Sequence, residues 1–268
     1  MPTYIDTHAH LYLPQFDQDR PQMLRRAWDA GVKYLFLPNI DSESIASLYQ
    51  IVDDAPQQCY PMMGLHPCSV KENFTHELSI AEKELKHSGR RFYAVGEIGL
   101  DFYWDTTFTQ QQYEALEVQI EWAKELNLPI VLHCRNSFDQ TFEVVKRHCG
   151  SGKLSGVFHC FSGSVQDAEK VADLGTFYMG IGGTVTYKKS ELPQVIQSID
   201  LSYFVLETDA PYLAPEPYRS AKDALQKRNE SLYIVTVAQK IAQIKEIDVE
   251  EVARLTTENA LQLFQINA

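Results

Sequence analysis

Six side chains spread through this chain share one chemistry. His8, His10, Glu97, His133, His159 and Asp209 are all of types that ligate metal ions. His8 and His10 stand two residues apart at the end of an extended apolar run, so both imidazoles point to the same side. Alone, such a pair reads as two hydrogen-bonded histidines near a strand end. Together, imidazole and carboxylate suit Zn²⁺, Mn²⁺, Fe²⁺ or Co²⁺, and Mg²⁺ where waters complete the shell. Six ligands exceed what one tetrahedral ion needs. Two divalent ions roughly 3.5–4 Å apart, bridged by Glu97, fit the number better. Such a pair supports hydrolysis by an activated water, and Asp209 and Glu97 are then the catalytic carboxylates.

The elements that must position these groups are eight short apolar runs, at 4–7, 33–37, 60–65, 92–97, 130–133, 156–159, 177–181 and 204–207. They are continuously apolar rather than alternating, as parallel strands buried on both faces are. Amphipathic helical stretches lie between them, clearest at 20–30, 109–126 and 164–174, with two more at 231–244 and 249–264. Ser164 is a capping residue, and Gly31 and Gly175 are natural helix stops. Eight strand–helix units predict an α/β fold, a (β/α)₈ barrel forming a single domain over 1–268. A doubly wound open sheet is the competing architecture. It has fewer strands and an early glycine-rich phosphate loop, which is missing here.

Each of the six residues falls at or just after the end of a run. His66, in Gly64-Leu65-His66-Pro67, and Arg135, just behind His133, share that placement. In a barrel these positions converge on the C-terminal face, where barrel enzymes carry out their chemistry. His66 and Arg135 are therefore expected to bind substrate, the guanidinium as a planar clamp for phosphate. His76 and His87 fall in a polar helical stretch and read as surface residues, and His148 as a partner of a helix C-terminus.

With 268 residues, 44% of them hydrophobic, the chain can bury a large core without disulfides. Its five cysteines form no Cys-x-x-Cys pair, which argues against a thiolate metal site and for a reducing compartment. The opening residues MPTYIDTHAH lack the form of a secretory signal, and no apolar run is long enough for a bilayer. The expectation is a cytoplasmic monomer with no membrane contact. The net charge of −12 excludes a protein that clings to nucleic acid by bulk charge. A nucleic-acid substrate would have to be bound locally, where the ions supply positive charge.

The segments IDTHAHL (5–11), GLHP (64–67), VGEIGLDFY (95–103), PIVLHCR (129–135), GVFHCFSG (156–163), LETDAPYLAP (206–215) and TTENALQLF (256–264) occur in one order along the whole chain. In this the chain resembles the TatD family of metal-dependent deoxyribonucleases, within the amidohydrolase-like barrel superfamily. The resemblance implies that His8, His10, Glu97, His133, His159 and Asp209 are the metal ligands, with Glu97 in place of the modified lysine of related barrels. It implies a DNA substrate, single-stranded or at 3′ ends, cleaved by exonuclease action. The same scaffold could instead hydrolyse a small ester, amide or phosphotriester. Two departures stand out. Ala210 occupies a position where the family often has Ser, and the Asn229-Glu230 segment lacks the proline that often follows.

Phe102, Tyr103 and Trp104 are aromatic residues suited either to stacking on unpaired bases or to forming a lid over the rim. Lys188, Lys189, Arg219, Lys222, Lys227 and Arg228 are candidates for phosphate contacts.

Overall fold

The computed structural model describes residues 2–150 and 154–266. The outermost residues of the expected 1–268 domain, and 151–153, lie outside the described residues. Among the described residues, eight strands run in chain order: β1 (Tyr4–Asp6), β2 (Val32–Pro38), β3 (Cys59–Met62), β4 (Val95–Asp101), β5 (Ile130–Arg135), β6 (Gly156–Phe158), β7 (Phe177–Ile181) and β8 (Phe204–Leu206). Every neighbouring pair is parallel. β1 to β3 form one ladder and β4 to β8 another.

Two seams join the ladders. At one, Met63 pairs with Val95, and Gly96 N donates to Met63 O at 3.0 Å. At the other, Thr7 N donates to Leu206 O at 3.0 Å, and Asp209 N to His8 O at 2.9 Å. With both edges paired the sheet is a closed (β/α)₈ barrel, as the eight apolar runs predict.

The helices pack outside the barrel. α1 (Arg20–Asp29), α2 (Ile45–Asp54), α3 (Phe74–His87), α4 (Thr109–Leu126), α5 (Phe138–Cys149), α6 (Val165–Asp173) and α7 (Leu192–Ser198) follow β1 to β7. A short α8 (Ala224–Lys227) precedes α9 (Ile234–Lys245) and α10 (Val249–Leu263). Local chemistry sets their ends. Ser164 and Asp167 form a reciprocal capping box that starts α6, and α4 stops at Asn127, which takes the left-handed conformation. The apolar faces of these helices and the outward strand residues form the larger core cluster. No helix among the described residues is long and apolar enough to cross a membrane.

Inside the barrel the side chains are layered. Ile5, Phe36, Met62, Ala94, Val131, Val157 and Val205 meet Ala260, Leu263 and Phe264 at the end of α10, with Phe36 and Phe264 stacked at 3.8 Å. This apolar plug fills the barrel beneath the site, with the end of α10 against it. Because strand side chains alternate, the residues two positions on face the same interior. Val131 leads to His133, Val157 to His159 and Val205 to Glu207. The site is the layer above the plug.

Glu97 differs from its expected place at the end of a strand. The run predicted at 92–97 is shifted, because β4 begins at Val95 and continues to Asp101. A register shift against β5 lies between Val95 and Ile98. That extra residue turns Glu97, and with it Asp101, to the interior. Gly99 between them has φ +148, and a Cβ there would strike the His133 carbonyl. Only glycine allows β4 to run this close to β5.

Candidate metal centre

Glu97 is almost wholly buried at the centre of the barrel mouth. Its two carboxylate oxygens face different partners. His8 Nε2 lies 3.1 Å and His10 Nε2 3.4 Å from Oε2. His133 Nδ1, His159 Nε2 and His66 Nε2 lie 2.9, 3.2 and 3.3 Å from Oε1. Asp209 completes the first side, with Oδ1 3.9 Å from His8 Nε2 and 3.7 Å from His10 Nε2. All six residues predicted as ligands therefore converge, and His66 joins them.

These groups fit bound cations. Glu97 Oε2 is buried, and among the described residues the nitrogens around it do not reach it in hydrogen-bond geometry, an arrangement that costs free energy unless a ligand satisfies it. The Nε2 atoms of His8 and His10 approach each other to 3.3 Å. Three groups could each hold an ion: His8, His10 and Asp209; His8, Glu97 and His159; and His66, Glu97 and His133. Burial pushes the Glu97 carboxyl up, but the imidazoles of His66, His159 and His8 outweigh it and hold it well below the usual range. Burial, reinforced by the charge of His159, drives His8 well below its ordinary value and keeps it neutral, the form that ligates.

The far nitrogen of each imidazole sets what the near one offers. Tyr12 OH donates to Pro38 O at 2.6 Å, so it accepts from His10 Nδ1 at 3.0 Å. That leaves a lone pair on His10 Nε2, toward Glu97. His133 Nε2 meets Asp101 Oδ2 at 2.9 Å, and His159 Nδ1 faces Glu207 Oε1 at 3.3 Å. Carboxylates behind imidazoles fix the ring and raise its basicity. His159 is accordingly well above its ordinary value, the charges of Glu97 and Glu207 overcoming the opposing effect of burial. His66 is the reverse case. Cys68 N donates to its Nδ1 at 3.0 Å, so neutral His66 carries its proton on Nε2, pointing into the site.

Asp101, Glu207 and Tyr12 were not singled out from the sequence. A signal existed for the carboxylates, since both lie in the segments that carry His133's neighbour Glu97 and Asp209. Asn229 was noted only as part of a motif. It is fully buried, and its Nδ2 donates to Thr208 O at 2.6 Å and Tyr212 O at 2.5 Å. It thus pins the turn in which Asp209 takes φ +56.

The site opens into a cavity of about 480 Å³ whose walls include His66, Asp101, Trp104, Arg135 and Tyr212. Arg135 stands at this mouth and forms no salt bridge among the described residues. Of the other basic candidates, Arg228 is structural: it grips Asp19 through two bonds of 2.7 and 3.0 Å and covers Phe16. Lys188, Lys189, Lys222 and Lys227 are exposed. Arg219 lies over the Tyr187 ring at 4.3 Å. His76 and His87 are exposed on α3, as expected, and His148 pairs with Glu117 at 2.7 Å.

Comparison with known proteins identifies the family. The sequence matches the TatD related DNase family over residues 5–265. It is 35% identical to an uncharacterised metal-dependent hydrolase of Bacillus subtilis, covering 98% of this chain and 99% of that protein. It is 31% identical to a Rahnella protein named as a 3′-5′ ssDNA/RNA exonuclease, covering 95% of each. The crystal structure of a TatD homologue from Escherichia coli superposes with a TM-score of 0.89 at 31% identity, covering 98% of both chains. The chain belongs to the TatD family and is a metal-dependent hydrolase.

Proposed function

We propose that this protein hydrolyses phosphodiester bonds in single-stranded nucleic acid, DNA foremost, working from a free 3′ end. The observation that supports this best is the divided carboxylate of Glu97, with separate nitrogen sets at its two oxygens. A carboxylate divided in this way suits a pair of divalent ions acting on a phosphoryl group. The Rahnella exonuclease, similar along nearly its whole length, lends the substrate class.

In this reading His8, His10, Asp209 and Glu97 Oε2 would hold one divalent cation, and His133, His159 and Glu97 Oε1 a second. Mg²⁺, Mn²⁺ and Zn²⁺ all suit the donors. Bound there, such ions acidify water and neutralise charge building on the phosphoryl oxygens.

The protein's own groups do the rest. Asp209, at the edge of the site facing His8 and His10, can orient an attacking water and take its proton. His66 Nε2–H donates to a phosphoryl oxygen. Arg135 clamps the neighbouring phosphate.

The test is hydrolysis of 5′- and 3′-blocked single-stranded oligonucleotides with each metal, before and after chelation. Metal-stimulated release of nucleotides from an open 3′ end is expected. Asp209→Asn should lose at least about 100-fold in turnover while circular dichroism stays unchanged. Turnover of an ester, amide or phosphotriester with no cleavage of any oligonucleotide would overturn the reading.

A further inference from the structure

We propose that Tyr103, Trp104 and Arg135 form a stacking shelf for an unpaired nucleobase beside the metal centre. This rests on the nucleic-acid reading above and specifies how the strand is held.

Exposed apolar side chains are unevenly placed on this protein. Tyr103, Trp104, Tyr212 and Leu213 are 52, 67, 48 and 37% exposed. Trp104, Tyr212 and Leu213 line the cavity that contains Glu97, and Tyr103 is in ring contact with Trp104. A concentration of exposed apolar surface around a polar centre marks a binding surface. The aromatic loop divides. Phe102 turns inward and packs on Tyr113, while the next two rings turn out.

The shelf has a defined shape. Tyr103 and Trp104 meet edge-to-face at 4.9 Å. The Arg135 guanidinium lies 4.0 Å over Tyr103 and 5.1 Å over Trp104. A planar cation on aromatic rings presents a flat surface with positive charge at its edge. A base with its phosphate offers the complementary pair, a π-face and an anion. Stacking of this kind does not select sequence, because every base has a π-face.

The shelf is also fixed to the centre. Asp101 Oδ1 accepts from Tyr103 N at 2.9 Å and Trp104 N at 3.0 Å, while Oδ2 holds His133 at 2.9 Å. One carboxylate positions both a ring that faces Glu97 and the loop that would seat a base, so little ordering is left for binding. An acidic protein gains by such a device, because stacking adds affinity that bulk charge does not provide.

The experiment compares a labelled single-stranded oligonucleotide with an abasic strand of the same length. Affinity is read by fluorescence anisotropy in chelator, and cleavage with metal restored. The wild-type protein should bind the base-bearing strand about tenfold or more tightly. The Trp104 emission should fall with that strand and not with the abasic one. The double variant Y103A/W104A should bring the two affinities within about twofold, and W104F should keep most of the difference. A tenfold preference that survives in the double variant overturns the shelf. Cleavage by wild type with no base preference overturns the shelf and leaves the nuclease reading standing. Base-dependent binding without metal-stimulated cleavage does the reverse.

Discussion

His66 presents a protonated nitrogen to Glu97: its Nε2 stands 3.3 Å from Oε1, and its Nδ1 is occupied by the Cys68 N–H. The distance alone would make His66 a ligand, but the hydrogen bond behind it makes it a donor. His66→Ala is therefore expected to lower kcat/KM on oligonucleotides about 100-fold with no change in metal bound per chain. Loss of one equivalent of metal in that variant would reassign His66 to the ligand set. Elemental analysis beside the kinetics separates the two.

Glu207 is fully buried behind His159, accepts from Cys160 N at 2.5 Å, and among the described residues leaves Oε2 without a hydrogen-bond partner. A Cβ at Gly180 on β7 would collide with it, so the fold keeps a space for this side chain. Its placement points to holding the His159 ring and enriching its lone pair. Glu207→Gln retains the shape and removes the charge. Metal affinity should fall about 10- to 100-fold, measured by isothermal titration, with the far-ultraviolet spectrum unaltered. Unchanged affinity would reduce Glu207 to a packing residue.

Asp6 supplies a pH dependence. It accepts from Thr208 N at 2.9 Å and from Thr208 Oγ1 and Ser231 Oγ at 2.6 Å each, yet burial outweighs these donors and raises its carboxyl from 3.8 to about 7. Between these values the folded chain holds a proton that the unfolded chain has released. Its contribution to stability therefore falls as pH rises from about 4 to about 7, then levels off. Urea denaturation of metal-free protein across that range should show the decline, and Asp6→Asn should flatten it. A slope identical in both proteins assigns the dependence elsewhere.

Much of this site was legible because two periodicities coincide. Apolar runs set the strands, and ligand-type residues sit two positions beyond a plug residue, as Val131 and His133 or Val157 and His159 do. Glu97 was identified with its strand misplaced. The segment after it, Ile98-Gly99-Leu100-Asp101, carries a glycine and an acid that do not look like a buried strand, and the register shift that turns Glu97 inward leaves no mark on composition. Tautomers were beyond reach for a related reason. Whether His10 or His66 offers a lone pair depends on Tyr12 and on the Cys68 backbone, contacts set by the turn after each strand. Arg228 looked like a free cation until its partner Asp19, far away in sequence, came beside it. The separation of Phe102 from Tyr103 and Trp104 likewise follows from which way a loop turns.

The seam where β8 meets β1 has a consequence for when the protein can act. Thr7 and Leu206, hydrogen-bonded there, are 199 residues apart, and His8 and Asp209 face each other just beyond them. Contacts of such separation form late, because the long loop they close must first lose its freedom. A chain emerging from the ribosome thus displays His8 and His10 early but lacks the carboxylate opposite them until β8 has been made and docked. The reactive centre and the closed barrel are completed by the same event, so the hydrolase is silent for as long as it is unfinished.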